Sequence, residues 1–167
     1  MTLSLGALAI AKEQIGRREA AGKKNQGAIV TWSLEGLTSR PADDPTSPGW
    51  ALWCAFFACQ CYRRALLLRG DTKRLREWQR IASGSCDALW RKAHEGDLLR
   101  WTNGPPPEPG DIFFIGKTGD LKHCGLVGSF GDSQRVTVEG NSGPQASEVW
   151  RGHRKLQEVY GFVRVLM

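Results

Sequence analysis

The spacing of apolar residues changes once along this chain, at the proline-rich stretch 104–110, and that change limits the fold more than any single motif does. Before it, Leu5, Leu8, Ala11 and Ile15 recur at helical spacing and stop at Gly16. A run over 50–69, apolar nearly all round at its start, predicts a helix buried in the middle of a domain and ending at Gly70. Two more helices are predicted over 72–82 and 86–93, the second capped by Ser85. The stretch 17–26 is polar, and 39–49 holds three prolines beside Asp43 and Asp44, so it reads as an irregular surface loop.

After residue 110 the apolar runs are short and separated by turn residues: 111–115, 123–130, 134–139 and 159–166. Lys117-Thr118-Gly119-Asp120 and Gly131-Asp132-Ser133 join them, as in a single antiparallel sheet. Helices first and strands second define an α+β class, with N-terminal helices packed on a C-terminal antiparallel sheet covered on one face. A length of 167 residues with 41% hydrophobic content suits one domain over 1–167. No internal repeat points to a solenoid, and seven Trp with 24% charged residues exclude a disordered chain.

Twenty-three Lys and Arg against 17 Asp and Glu give a net charge of +6, which favours approach to polyanionic surfaces. The basic residues stand in scattered pairs, Arg17-Arg18, Lys23-Lys24 and Arg63-Arg64, as on a solvated surface rather than a binding stripe. Five cysteines without a disulfide-framework spacing fit a reducing compartment and at least one free thiol. The start lacks a basic residue before its apolar stretch, and no run has the length of a membrane span. The expectation is synthesis in the cytoplasm without a signal peptide, no integral membrane segment, and a carrier if the target lies outside.

Cys54 falls near the head of the buried helix, where unpaired N–H groups and the helix dipole favour a thiolate; Cys59 and Cys61 lie too far along to share this. His123 opens a strand, His123-Cys124-Gly125-Leu126-Val127. Alternation places Cys124 on the opposite face, so that His123 is expected to look toward a helix while Cys124 packs elsewhere. A nucleophilic thiol needs such an imidazole to take its proton. On the next strand Glu139, or Asn141 if the strand continues, could accept from the second ring nitrogen and fix the ring.

Trp53-Cys54-Ala55-Phe56-Phe57, Pro109-Gly110-Asp111-Ile112-Phe113-Phe114, His123-Cys124-Gly125-Leu126-Val127 and Val138-Glu139-Gly140-Asn141 together resemble the CHAP domain, a family of cysteine- and histidine-dependent amidohydrolases and peptidases. The resemblance runs from about Ile15 to Val165. It implies a papain-like α+β fold and hydrolysis of bacterial peptidoglycan, as an N-acetylmuramoyl-L-alanine amidase or an endopeptidase. It makes Cys54 the nucleophile, His123 the base, Glu139 and Asn141 the orienting pair, and the Cys54 N–H part of the oxyanion hole. Trp50, Trp53, Glu19 and Asn25 are the candidates for lining a substrate groove. Some members hold calcium in an acidic loop, but Asp43 and Asp44 lack the alternating oxygen ligands, so no metal and no cofactor is expected.

Expected partners are the peptidoglycan itself and either an immunity protein or a holin or secretion apparatus, with no nucleic acid and a monomeric chain. A phage lysis or tail enzyme and a delivered toxin, acting on the wall or periplasm after release or injection, are both open. The rival readings are an NlpC/P60-type or other papain-like peptidase and a non-catalytic wall-binding or tail module. A zinc site from Cys54, Cys59, Cys61, His94, His123 and Cys124 has no usual ligand spacing, and Cys124 is expected to point away from His123. His94, His153 and Glu148 read as surface residues, and Trp32, Trp90 and Trp101 as core.

Overall fold

The computed structural model describes residues 1–37, 53–93, 98–130 and 135–166. Trp50, His94, Asp43, Asp44, the loop 39–49 and the turn 131–133 lie outside these residues. Helix α1 (Leu3–Glu13) starts on Thr2, whose side chain caps Leu5 N–H. Its buried face carries Leu3, Ala7, Leu8, Ile10 and Ala11; Leu5 and Ile15, expected on that face, are exposed, because the stripe runs through 3, 7, 10 and 11. A short helix α2 (Ala28–Leu34) follows, beginning at Gly27 without a side-chain cap.

The expected central helix is α3 (Cys54–Leu68), buried nearly all round from Cys54 to Tyr62 and again at Ala65 and Leu66. Fully burying Phe57 or Leu66 is worth about 2 kcal/mol each, so α3 anchors the domain. Its one buried hydroxyl is satisfied: Tyr62 Oη donates to Gly110 C=O at 2.7 Å. Helix α4 (Thr72–Ile81) starts on Asp71, which caps Arg74 N–H, and buries Trp78, whose indole N–H donates to Cys59 C=O at 3.0 Å. Helix α5 (Cys86–Lys92) starts on the expected cap, Ser85.

Among the described residues the second half forms a six-stranded antiparallel sheet in the order β1 (Leu98–Trp101), β6 (Gly161–Val165), β2 (Ile112–Lys117), β3 (Asp120–Phe130), β4 (Arg135–Ser142), β5 (Glu148–Arg154). Strand alternation sorts the side chains. Ile112, Phe114, Cys124, Leu126, Val138 and Val163 join the helices in the main core. On the other face Phe113, Val127 and Phe162 make a small cluster with Trp101. The architecture is α+β, with the helices on one face of the sheet as expected.

The polar stretch after α1 is tied to the sheet. Gly16 N–H donates to Val149 C=O, Val149 N–H to Arg17 C=O and Glu19 N–H to Ser147 C=O, each at 2.9 Å, so residues 16–19 run along β5 as a short added edge. Arg18 pairs with Glu148 at 2.9 Å. This corrects Glu148, expected on the surface: it is 5% exposed, because the strip and its guanidinium cover it. His153 is exposed, as expected. Among the described residues no helix is long and apolar enough to cross a membrane.

Candidate active site

Trp53 is the N-cap of α3 and supplies no side-chain cap, so Cys54 opens the helix at the end where the first-turn N–H groups have no intrahelical acceptor. The placement of Trp53 and α3 against the sheet depends on Gly140. A Cβ there would stand 2.6 Å from Phe57 Cβ and 2.7 Å from Trp53 Cζ3. The Trp53 indole N–H donates to Glu19 Oε1 at 2.7 Å, fastening the 16–27 segment to the residue beside Cys54.

Cys54 is fully buried, and three neighbours act on its thiol. Hydrogen bonding from Cys124, then from Cys86, and then from the His123 imidazole overcomes the penalty of burial and holds it well below the ordinary thiol value. His123 answers in kind. Burial disfavours its charge, yet hydrogen bonding to Cys54 and Glu139 pushes it up to about 9. Both directions favour the charged pair, thiolate and imidazolium, over the neutral one.

His123 Nε2 bonds Glu139 Oε2 at 2.8 Å, which leaves Nδ1 for the sulfur. Glu139 has no exposed surface and is held by more than the histidine. Thr137 Oγ1 donates to Oε1, Ser142 Oγ to Oε2 at 3.0 Å, and Arg154 reaches both oxygens, its Nε at 2.8 Å from Oε1. Burial alone would raise this carboxyl, but Arg154, His123 and Thr137 together keep it far below the ordinary carboxylate range. Gly125 makes room beneath it, since a Cβ there would lie 2.9 Å from both Glu139 Cγ and Phe113 Cε1.

Of the expected site residues, the structure brings Cys54, His123 and Glu139 together. Asn141 does not continue the Thr137–Glu139 alternation: the register shifts between Glu139 and Ser142, and Asn141 has φ 54°, so it turns into a groove wall. That groove, about 710 Å³, is lined by Arg18, Glu19, Lys23, Lys24, Asn141 and Gln145 among others. Glu19 thus serves both as wall and as the anchor of Trp53, while Trp53 itself is 1% exposed and packs as core. Asn25, with φ 57°, shapes the turn of the same segment.

One expectation about facing is overturned. Cys124, not His123, points to the helix side of the sheet; its Sγ lies within 4.8 Å of those of Cys54 and Cys86. The reason was available in the strand itself, because Leu126 faces the core and period two carries that face back to Cys124. His123 sits on Glu139's face, beside Phe113, and still acts on Cys54. Cys59 instead donates to Ser83 C=O at 3.6 Å. The residues that the sequence did not reveal are Cys86, Thr137, Ser142 and Arg154. Only Thr137, two positions before Glu139 on one strand face, left a signal.

No known family's sequence profile matches the chain, and no curated protein does. Among solved structures it is similar to the crystal structure of Ly7917, with a TM-score of 0.53 and 16% identity over 99% of this chain. It is also similar to the crystal structure of Ly7917 with the hydrolyzing product of MDP, with a TM-score of 0.51 and 14% identity over 98% of this chain. The chain spans 63% of the length of either, and at these identities the likeness is one of fold.

Proposed function

We propose that the chain is a cysteine hydrolase of amide bonds in bacterial peptidoglycan, of the CHAP type and with a papain-like arrangement of helix and sheet. The observation that carries this reading is a thiol at the first residue of α3 beside an imidazole that Glu139 holds by its other nitrogen at 2.8 Å. A structural neighbour solved with the hydrolyzing product of MDP supports the substrate class.

In the reaction Cys54 Sγ attacks the amide carbonyl, and the Cys54 N–H at the helix start donates to the developing oxyanion. The His123 imidazolium gives its proton to the departing nitrogen, and the neutral ring then takes a proton from the water that releases the acyl group. Glu139 keeps the ring in the right tautomer and stabilises its charged form; Arg154, Ser142 and Thr137 keep Glu139 ionised and in place. The groove beside Asn141, with Lys23, Lys24 and Arg18 on its walls, would receive the carboxylate-bearing stem peptide.

Purified sacculi incubated with wild type should release new amino groups, and Cys54→Ala should release none. A wall-binding module without catalysis would sediment with sacculi in both forms and release nothing, which would end the hydrolase reading. Mass spectrometry of the products separates cleavage next to the lactyl group of muramic acid from cleavage within the peptide.

A further inference from the structure

The sulfurs of Cys54, Cys86 and Cys124 come from three different elements, the heads of α3 and α5 and the middle of the sheet, and all lie within 4.8 Å of one another. Cys54 Sγ and Cys86 Sγ are 3.9 Å apart. A tetrahedral ion with metal–sulfur bonds of about 2.3 Å holds its sulfurs about 3.8 Å apart, so this edge of the triangle already has the right length. All three residues are at most 4% exposed, and all are free thiols. Ligands at 54, 86 and 124 are too widely spaced to form a motif, which is why the sequence pointed to no such site.

We propose that Cys54, Cys86 and Cys124 form a three-sulfur site for a soft d10 cation, Zn²⁺ being the common one, and that its occupation silences the hydrolase by taking the nucleophile as a ligand. The sulfurs bind as thiolates and their protons leave to solvent; the ion's two charges offset two of the three, so the burial cost is smaller than for free thiolates. Oxygen-loving cations such as Ca²⁺ and Mg²⁺ have no ligands in this triangle and would not bind there. The silencing role rests on the hydrolase reading; the binding site does not.

The test uses Cd²⁺ as probe, with a non-thiol reductant present to exclude disulfides. Titration of the wild-type protein should give a sulfur-to-cadmium charge-transfer band saturating at one ion per chain, and X-ray absorption of the loaded protein should show a shell of three sulfurs. Cys86→Ser and Cys124→Ser should each weaken binding at least tenfold, whereas Cys59→Ser should not. Absence of the band, or a shell with fewer than three sulfurs in wild type, overturns the site without recourse to any variant. In the activity arm, Zn²⁺ should stop amino-group release and a chelator should restore it; an ion-loaded enzyme that still hydrolyses overturns the silencing role. If the three-sulfur shell forms but metal-free protein releases nothing, the hydrolase reading fails and the metal site stands.

Discussion

Replacing Glu139 by Gln keeps the volume at the back of the site and removes one charge. In the native protein His123 is raised from 6.5 to about 9 although burial works against it. A rise of that size corresponds to about 3 kcal/mol at 1.36 kcal/mol per pH unit. Cys54 and Glu139 are the partners responsible, so losing the carboxylate removes one of the two supports and moves the imidazolium's titration down from about 9 toward the ordinary imidazole value. The amide cannot accept from His123, Ser142 and Arg154 at once, so the ring also loses its fixed tautomer. Hydrolysis should fall about 100-fold or more. The assay is a proton NMR titration of the His123 ring in chelator-treated protein, read beside the pH profile of kcat/KM, with circular dichroism to show that the variant folds. A His123 midpoint still near 9 in Glu139→Gln would refute the claim that this carboxylate holds the imidazolium.

Gly140→Ala pushes a methyl group against Phe57 and Trp53 and should cost about 1–3 kcal/mol in urea unfolding, with a loss of activity, because the head of α3 must shift. Asp111 is fully buried, receives Glu108 N–H at 2.7 Å and Arg164 Nη2 at 2.8 Å, and its replacement by Ala should cost about 3–5 kcal/mol while leaving the His123 titration in place. Glu139 is lowered on folding, so its contribution is present above 4.5 and lost as pH falls through the acid range; urea midpoints should drop there. On the other side, His123 is raised, so its contribution is complete below 6.5 and lost as pH rises through about 9, while Cys54 is lowered from 9.0 and gains over the same range. The pair keeps one proton on the imidazole where the unfolded chain keeps one on the thiol, so stability should be level between 6.5 and about 8.5. Above 9.0 it should fall, because Cys59, Cys61, Cys86 and Cys124 are raised, so their contribution is complete below 9.0 and lost progressively as pH rises above it. A steady decline from 6.5 upward would contradict the thiolate–imidazolium assignment.

The elements that reveal themselves in the sequence are those whose pattern is set by burial on one side. Helices α3, α4 and α5 and strands β2, β3, β4 and β6 follow from periodicity, and Ser85 and Gly70 mark boundaries by ordinary local chemistry. Helix α2 has seven residues and starts at a glycine without a cap, so nothing local announces it. Strands β1 and β5 escape for a related reason: Leu98–Trp101 is only four residues long, and Glu148–Arg154 carries two arginines, a histidine and a glutamate whose partners lie elsewhere in the chain. At the site, Cys54, His123 and Glu139 could be read because each sits at a defined position on its own element. Arg154 and Cys86 could not, since their roles come from tertiary approach: Arg154 reaches Glu139 across neighbouring strands, and Cys86 meets Cys54 only because two helix starts converge.

The strip at residues 16–19 has a consequence for the behaviour of the molecule in concentrated solution. A bare outer strand offers a row of backbone groups to any similar strand that drifts past, and stacking of whole sheets can begin there. Here the far end of the sheet is already paired by the chain's own early segment, at Gly16, Arg17 and Glu19. Loosening that strip, for example by a proline at Arg17, would expose Val149 and its neighbours and turn a self-terminating sheet into one that recruits other copies.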